Sequence, residues 1–404
     1  MIPRLIQNTV FNSLISQPVI TLLLGARQVG KTVLVKSIQK QLESNHHRVL
    51  YLNCDLEENL AVINTTSQTA LEQLTKNINF LLVDEAQRLA NPGLTLKILL
   101  DNFPAVKVLA TGSSSFELRN HLSDALTGRY LDFSLYPLSL TEIINFQNFP
   151  PDSPITKNQT NALLTHLLLY GFYPAIFQVG DPALKRTHLA KIVESYLFKD
   201  VLSFNKIRYS QALKDLTVAI AYQIGSEVNE DELGRRTKID RKTVISYLDI
   251  LEKSYVIVRH YPFSQNPRRE IGHKYKIYFV DLGIRNAIIN DFNPFLLRAD
   301  IGALWENFLI IERLKFNANS HQSPVVNFWR SYSGAEVDYL EKDSTGKLAA
   351  FEFKYGIGKL SKGAHAFTGK YKSPVSLINS DNYLSFVTGH NPKDRVFLKK
   401  PGAV

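Results

Sequence analysis

The chain has 404 residues and a mass of 45.8 kDa, more than one small core needs when domains run to about 100–200 residues. Its 45% hydrophobic and 21% charged residues are those of an ordinary globular protein. The single cysteine, Cys54, excludes an intramolecular disulfide and a thiolate zinc cluster, which fits a reducing cytoplasm. The opening "MIPRLIQNTVFNSLIS" mixes polar with apolar residues, so no secretory peptide is expected. No tract reaches the roughly 18 uninterrupted apolar residues of a membrane span.

The net charge of +10 is divided unevenly. Residues 1–150 carry twelve Lys and Arg against twelve Asp and Glu, and the rest carry 35 against 25. The downstream part therefore either meets a polyanion or spreads its basic residues over a solvated surface.

In chain order, the first pattern is "VITLLLGARQVGKTVLVKSIQKQL": an apolar strand, a glycine loop and an amphipathic helix. "GARQVGKT" fits G-x-x-x-x-G-K-[ST], in which backbone N–H groups at a helix N-terminus cradle phosphates. Gly25, Ala26, Arg27, Gln28, Val29 and Gly30 are expected to form the cradle, with Val33 behind them at the start of the helix. Lys31 would reach the β- and γ-phosphates and Thr32 would ligate magnesium. "RVLYLNCD" reads as a second strand. "NFLLVDEAQ" is a third, buried strand ending in Asp84, placed to hold the magnesium through its water shell, and Glu85, placed to polarise the attacking water. "VKVLATGSSS" ends in hydroxyl residues, of which Ser113 or Thr111 is a candidate γ-phosphate sensor, although such residues also cap helices. These elements make an α/β, doubly wound parallel sheet with its ligand at the carboxyl edge of the strands.

The chain here resembles the AAA superfamily of ATPases, in particular a bacterial and archaeal group whose C-terminal domain has long been catalogued as of unknown function. The stretches "GARQVGKT", "FLLVDEAQ", "LATGSSSFEL", "LTGRYLDFSLYPLSLTEI", "KIYFVDLGIRNAI" and "GALWENFLIIE" carry the likeness across about residues 1 to 355. It implies ATP and Mg2+, a homo-oligomer as one possible assembly, and an AAA core over 1–145. It also implies a γ-phosphate contact for Arg129, in its own subunit or a neighbour's. From the residues alone, Arg129 reads equally as a surface arginine.

Residues 146–204 read as helices with polar breaks, a helical lid. Residues 205–265 change rhythm. A helix over 211–224, a short one around 230–236, a turn, a helix capped by Asp240 and the strand "SYVIVRHY" make a winged helix-turn-helix, with Ile245, Leu248 and Leu251 inward and Tyr247 elsewhere. Arg241, Lys242 and Thr243, at the start of the third helix, are the expected DNA contacts. Protein docking is the other reading.

Residues 266–404 hold the hairpin "GAEVDYLEKDSTGKLAAFEFKYG". A three-residue loop, Ser344-Thr345-Gly346, sets a register in which Asp338 faces Glu352 and Glu336 faces Lys354. Carboxylates directly opposite repel unless a hard cation such as Mg2+ or Mn2+ lies between them. Val337, Tyr339, Phe351 and Phe353 are expected on the other face, with Ala349 and Ala350 leaving the approach open. The upstream helix "GALWENFLIIERLKF" adds Glu306. A helix carboxylate, an Asp on one strand and Glu-x-Lys on the next resemble the PD-(D/E)XK nucleases, a restriction-endonuclease-like α/β fold. That likeness makes Asp338 and Glu352 metal ligands, Glu306 the helix carboxylate and Lys354 the residue that orients or activates water; Glu336 is extra, and no proline precedes Asp338. The residues leave open whether such a site cleaves or only binds nucleic acid. The tail "KYGIGKLSKGAHAFTGKYK" reads as a phosphate-tracking loop or a flexible basic surface.

Overall fold

The apolar run "ITLLL" forms β1 (Ile20–Leu24), buried along its whole length. With β2 (Val49–Asn53), β3 (Phe80–Asp84), β4 (Lys107–Gly112) and β5 (Tyr130–Ser134) it makes a five-stranded sheet of order β2-β3-β4-β1-β5, every pair parallel. Cover on both faces is why β1 and β3 read as unbroken apolar runs. The computed structural model describes residues 2–113, 126, 128–147, 154–195, 210–264, 274–331 and 333–389. It divides into two units, Met1–Leu138 with Lys253–Tyr255, and Ser139–Glu252 with Val256–Val404.

In the first unit β2, second in sequence, goes to the edge, and β4 comes between β1 and β3. The strand order therefore reverses at β1, where open α/β sheets bind ligands beyond the carboxyl ends of their strands. There β1 opens into the 25–30 loop and the helix Lys31–Ser44. Two glycines are dictated by geometry. A Cβ on Gly25 would sit 2.2 Å from the Leu135 carbonyl oxygen, and Gly30 has φ +100°.

In the second unit Asn229 caps the helix Glu230–Thr237 by accepting from the Asp231 and Glu232 N–H groups. Lys238, at φ 56°, turns the chain. Asp240 caps the helix Arg241–Lys253 by accepting the N–H and hydroxyl of Thr243. A Cβ on Gly234 would come within 2.7 Å of the Ile239 carbonyl oxygen, so the turn is tight. The inward face is Val244, Tyr247, Leu248, Ile250 and Leu251. This corrects the expected stripe: 244, 247, 248 and 251 follow the i, i+3, i+4, i+7 rule, which turns Tyr247 in and leaves Ile245 half-buried.

β6 (Ile257–His260) pairs antiparallel with β7 (Lys276–Phe279), so the boundary expected at 265 falls between two paired strands. Upstream, the segment read as a lid contains the helices Pro154–Tyr170 and Pro182–Ile192, while its residues 148–153 and 196–204 lie outside the described residues. The end of "LATGSSSFEL" beyond Ser113 lies outside them too.

A second sheet has the order β11-β10-β9-β8. β8 (Val325–Arg330), β9 (Glu336–Lys342) and β10 (Leu348–Phe353) are antiparallel, and β11 (Val375–Ile378) is parallel to β10. The helix Ile301–Asn319 precedes this sheet and the helix Lys362–Tyr371 connects β10 to β11. Leu348↔Lys342 through Phe351↔Tyr339 is the hairpin register expected from the turn, with Gly346 left-handed at φ +85°. The ladder stops at that pair, so Asp338 and Glu352 are not a paired rung. Instead the Asp338 carboxylate accepts the Phe353 N–H at 2.7 Å.

On the other side of β9 the register slips. Asn327 pairs with Leu340 but Trp329 with Val337, which leaves Asp338 and Tyr339 together opposite Phe328. Such a bulge flips parity beyond it and re-aims the extra side chain. Val337 therefore joins Leu340, Ala350, Trp329 and Phe367 in one core cluster, while Tyr339, Phe351 and Phe353 pack around Phe386. The expected grouping of Val337 with Tyr339 is corrected, as is the open approach at Ala350, which is core. The basic tail is also corrected: its residues 362–371 are helix, capped by Ser361, with Ala364 and Phe367 buried.

Candidate nucleotide site and acidic cleft

At the carboxyl edge of the first sheet, Lys31 leaves the loop buried, its Nζ donating to the Gly25 and Ala26 carbonyls at 2.9 and 3.0 Å. Burial lowers its pKa, against the opposing pull of the Glu85 and Asp84 charges. Asp84, at the end of β3, accepts from Thr32 Oγ1 at 2.6 Å, Tyr51 Oη at 3.0 Å and Thr111 Oγ1 at 2.5 Å. Thr32 and Asp84 thus meet across β4, and their hard oxygens suit Mg2+. Glu85 sits at φ 55°, a left-handed strain typical of functional turns. Its Oε2 accepts from Gln87 Nε2 at 2.5 Å, and the same amide donates to Ser113 Oγ at 3.0 Å. Thr111 is committed to Asp84 and to the Glu85 N–H, so of the two sensor candidates Ser113 fits better.

Sequence reasoning missed Arg4, which donates to the Val29 carbonyl of the loop and to the Tyr136 carbonyl, each at 2.7 Å. A lone arginine ahead of the first helix gives no motif. It also missed Gln87 and Tyr51. Arg129 is not brought to this site. Its carbonyl accepts from the Ile20 N–H at the amino end of β1, and its side chain is exposed and paired with Asp101. The length of β1, roughly 16 Å at about 3.3 Å per residue, separates it from the loop, which corrects the reading of Arg129 as a γ-phosphate contact within its own chain.

Residues 17–144 match the family model for an AAA domain. They are an AAA-type P-loop ATPase domain. Residues 161–294 and 301–393 match two further models, each described as a domain of unknown function (DUF8612 and DUF4143). An uncharacterized protein of Haemophilus influenzae is 25% identical over 304 residues, 72% of this chain and 73% of its own. An uncharacterized protein of Methanocaldococcus jannaschii is 25% identical over 334 residues, 80% of this chain and 71% of its own. Among solved structures, the Walker-type ATPase of Pyrococcus abyssi is similar with TM-score 0.46 and 18% identity, covering 70% of this chain and 94% of that one. AMPPCP-bound DnaA of Aquifex aeolicus is similar with TM-score 0.30 and 16% identity, covering 61% and 86%. Among the described residues no helix is long and apolar enough to cross a membrane.

In the second unit Lys276, Glu306, Glu336, Asp338, Glu352 and Lys354 line one cleft of about 740 Å3. Carboxylate oxygens of Glu306, Glu336 and Asp338 lie within 4.8 Å of one another. Glu352 is buried, its Oε2 accepting the Ser361 N–H at 2.9 Å and its Oε1 3.1 Å from Lys354 Nζ. Glu336, outside the expected motif, is thus in the closest trio, and it pairs with Lys276 and, at 3.9 Å, with Arg330 rather than with Lys354. The β9–β10 ladder ends at Phe351↔Tyr339, so the hairpin register does not extend to Glu336. Burial raises the Asp338 pKa, the Glu306 charge adds to the rise, and the Phe353 N–H and Lys276 oppose it.

Lys276 is the residue that sequence reasoning missed here. It is 4% exposed, and its Nζ lies 2.9 Å from Glu306 Oε1 and bonds Glu336. Burial works against its charge, but Glu306 and Glu336 outweigh burial and raise its pKa. Tyr278 Oη also donates to Glu306 Oε1, at 2.5 Å. The only signal was a lysine inside the apolar strand "KIYF".

The expected DNA contacts lie on the exposed start of the Arg241–Lys253 helix. Arg241 is held by Glu230 at 2.8 Å, Lys242 is exposed, and the Thr243 hydroxyl is spent on the Asp240 cap. Asp231, Arg235 and Lys238 share the surface cavity beside Arg241.

Proposed function

We propose that this chain is an ATP-driven enzyme that cleaves phosphodiester bonds in DNA with a divalent metal in the acidic cleft. The observation that carries the reading is the convergence of Glu306 from a helix, Asp338 from β9, and Glu352 and Lys354 from β10 and its end in one cleft. Hard oxygens from separate elements suit Mg2+ or Mn2+, and a bound ion supplies Lewis-acid stabilisation of the scissile phosphate. Asp338 and Glu352 are its assigned ligands, Glu306 supports them, and Lys354 serves the water or the developing charge.

In the ATPase domain, Lys31 serves the β- and γ-phosphates, Thr32 and Asp84 the Mg2+, Glu85 the water and Ser113 the γ-phosphate. Arg129, far from its own loop, fits a role toward a neighbouring copy in a homo-oligomer. The helices after residue 154 are the lid. The two capped helices and β6-β7 are a winged helix whose Arg241 and Lys242 meet DNA phosphates, with Thr243 confined to capping. The setting is cytoplasmic.

The test is a cleavage assay on single- and double-stranded DNA and RNA with Mg2+ or Mn2+, with and without ATP. Wild type is expected to cut DNA and Asp338→Ala to be inert. Equal cutting by the two would remove the cleft from the chemistry. DNA-stimulated ATPase activity without any cutting would leave a DNA-binding switch with an inactive nuclease fold.

A further inference from the structure

We propose that the acidic cleft takes one divalent ion and not two, because the Lys276 ammonium is its second, permanent cation. This rests on the metal reading of the cleft given above.

The four carboxylates of the cleft are held in two ways. Glu306 and Glu336 share Lys276: Nζ lies 2.9 Å from Glu306 Oε1 and bonds Glu336 Oε1, while Tyr278 donates a second hydrogen bond to the same Glu306 oxygen. Asp338, whose carboxylate lies within 4.8 Å of those two, and Glu352 are each fixed by a backbone amide, the Phe353 N–H on Asp338 Oδ2 and the Ser361 N–H on Glu352 Oε2. Amides orient a carboxylate without neutralising it. Among the described residues no hydrogen-bond donor reaches Asp338 Oδ1, and the second Glu352 oxygen has only the half-exposed Lys354. Asp338 and Glu352 are therefore oriented by amides rather than by a buried cation, whereas Glu306 and Glu336 already share one.

A second ion would need Glu306 and Glu336, and so would have to expel Lys276. That lysine is buried, with its Nζ 5.4 Å from the centre of the Phe328 ring, and an ammonium stripped of its carboxylates there would be a buried, unpaired charge. The protein avoids that state by keeping the lysine where two-ion sites would place a metal.

The experiment counts Mn2+ bound at equilibrium by the nucleotide-free full chain, with Asp84→Asn in every sample to silence the phosphate loop. The parent is expected to bind one ion. Lys276→Met, which removes the ammonium shared by Glu306 and Glu336, is expected to bind two, and adding Glu336→Gln should return the count to one. If Lys276→Met does not fold, Lys276→Gln, which keeps a donor toward Glu306, takes its place with the same expected count. Two ions in the parent, or one in the lysine variants, would overturn this inference while leaving the metal reading intact. No ion in the parent would remove the metal reading itself, and this inference with it.

Discussion

The two acidic sites of this chain hold their carboxylates by opposite means. Asp84 is surrounded by neutral hydroxyls from Thr32, Tyr51 and Thr111, and Lys31 rests on loop carbonyls. In the cleft, Glu306 and Glu336 share a buried ammonium, and Asp338 and Glu352 take backbone amides. A hydroxyl orients a carboxylate and can turn to suit a metal-bound water. A buried ammonium fixes both position and charge. The first arrangement suits an ion that arrives and leaves with its nucleotide, and the second a site whose charge is set by the fold.

The largest expected effect tests the nucleotide side. Glu85→Gln should keep ATP affinity and lower hydrolysis about 10²–10⁴-fold, the usual share of a positioned base, whereas Lys31→Ala should lose the nucleotide. Single-turnover hydrolysis beside a binding titration separates the two. An undiminished rate in Glu85→Gln would take that residue out of the reaction.

The next effect tests whether the cleft is set by the fold. Val337, beyond the bulge, belongs to the cluster with Trp329 and Phe367, so Val337→Ala should cost about 2 kcal/mol in denaturant unfolding and leave Mn2+ affinity unchanged. A variant that lost metal without losing stability would mean that Val337 shapes the site rather than its support.

A comparable effect comes from His260, stacked on Tyr339 at 5.6 Å with 4° between the ring planes. Burial, with Lys276 adding to it, lowers its pKa to about 3. A histidine lowered in the folded state stabilises fully above the unfolded value of about 6.5, and the stability is lost as pH falls toward the folded value. Between pH 7 and pH 5 the loss should be about 2 kcal/mol. Asp338, raised on folding, acts in the opposite sense, losing stability as pH rises above the ordinary aspartate range. The difference between wild type and His260→Phe isolates the histidine, and identical pH slopes for the two would contradict its buried, neutral state.

How much of this was legible followed from how locally each site is written. The phosphate loop and Asp84 lie in short contiguous patterns, and the strand-loop-helix context located them. The hairpin register was legible because Gly346 marks its turn. The bulge was not, since it depends on how β8 meets β9 and no residue there announces it, and it carried Val337 away from Tyr339. Lys276 was hidden because a lysine in an apolar strand has no sequence partner; its carboxylates lie 30 and 60 residues downstream. For Arg129 the choice between a surface arginine and a phosphate contact was not legible, because adjacency to a recognisable stretch does not reveal which end of a strand a residue occupies.

The smallest expected effect concerns the helix surface. Replacing Arg241 and Lys242 by Ala should weaken duplex binding and flatten its salt slope by up to about two units, roughly one per lost phosphate contact. Because Glu230 already holds Arg241, most of the change should come from Lys242. A slope that did not move would assign these two capped helices to protein docking.

The central claim, that the cleft holds a divalent ion through Asp338 and Glu352, is tested most directly by anomalous scattering from crystals grown with Mn2+. A peak is expected within about 2.5 Å of oxygens from both residues, with Lys276 still on Glu306 and Glu336. A peak at Thr32 and Asp84 alone, with nothing in the cleft, would contradict it.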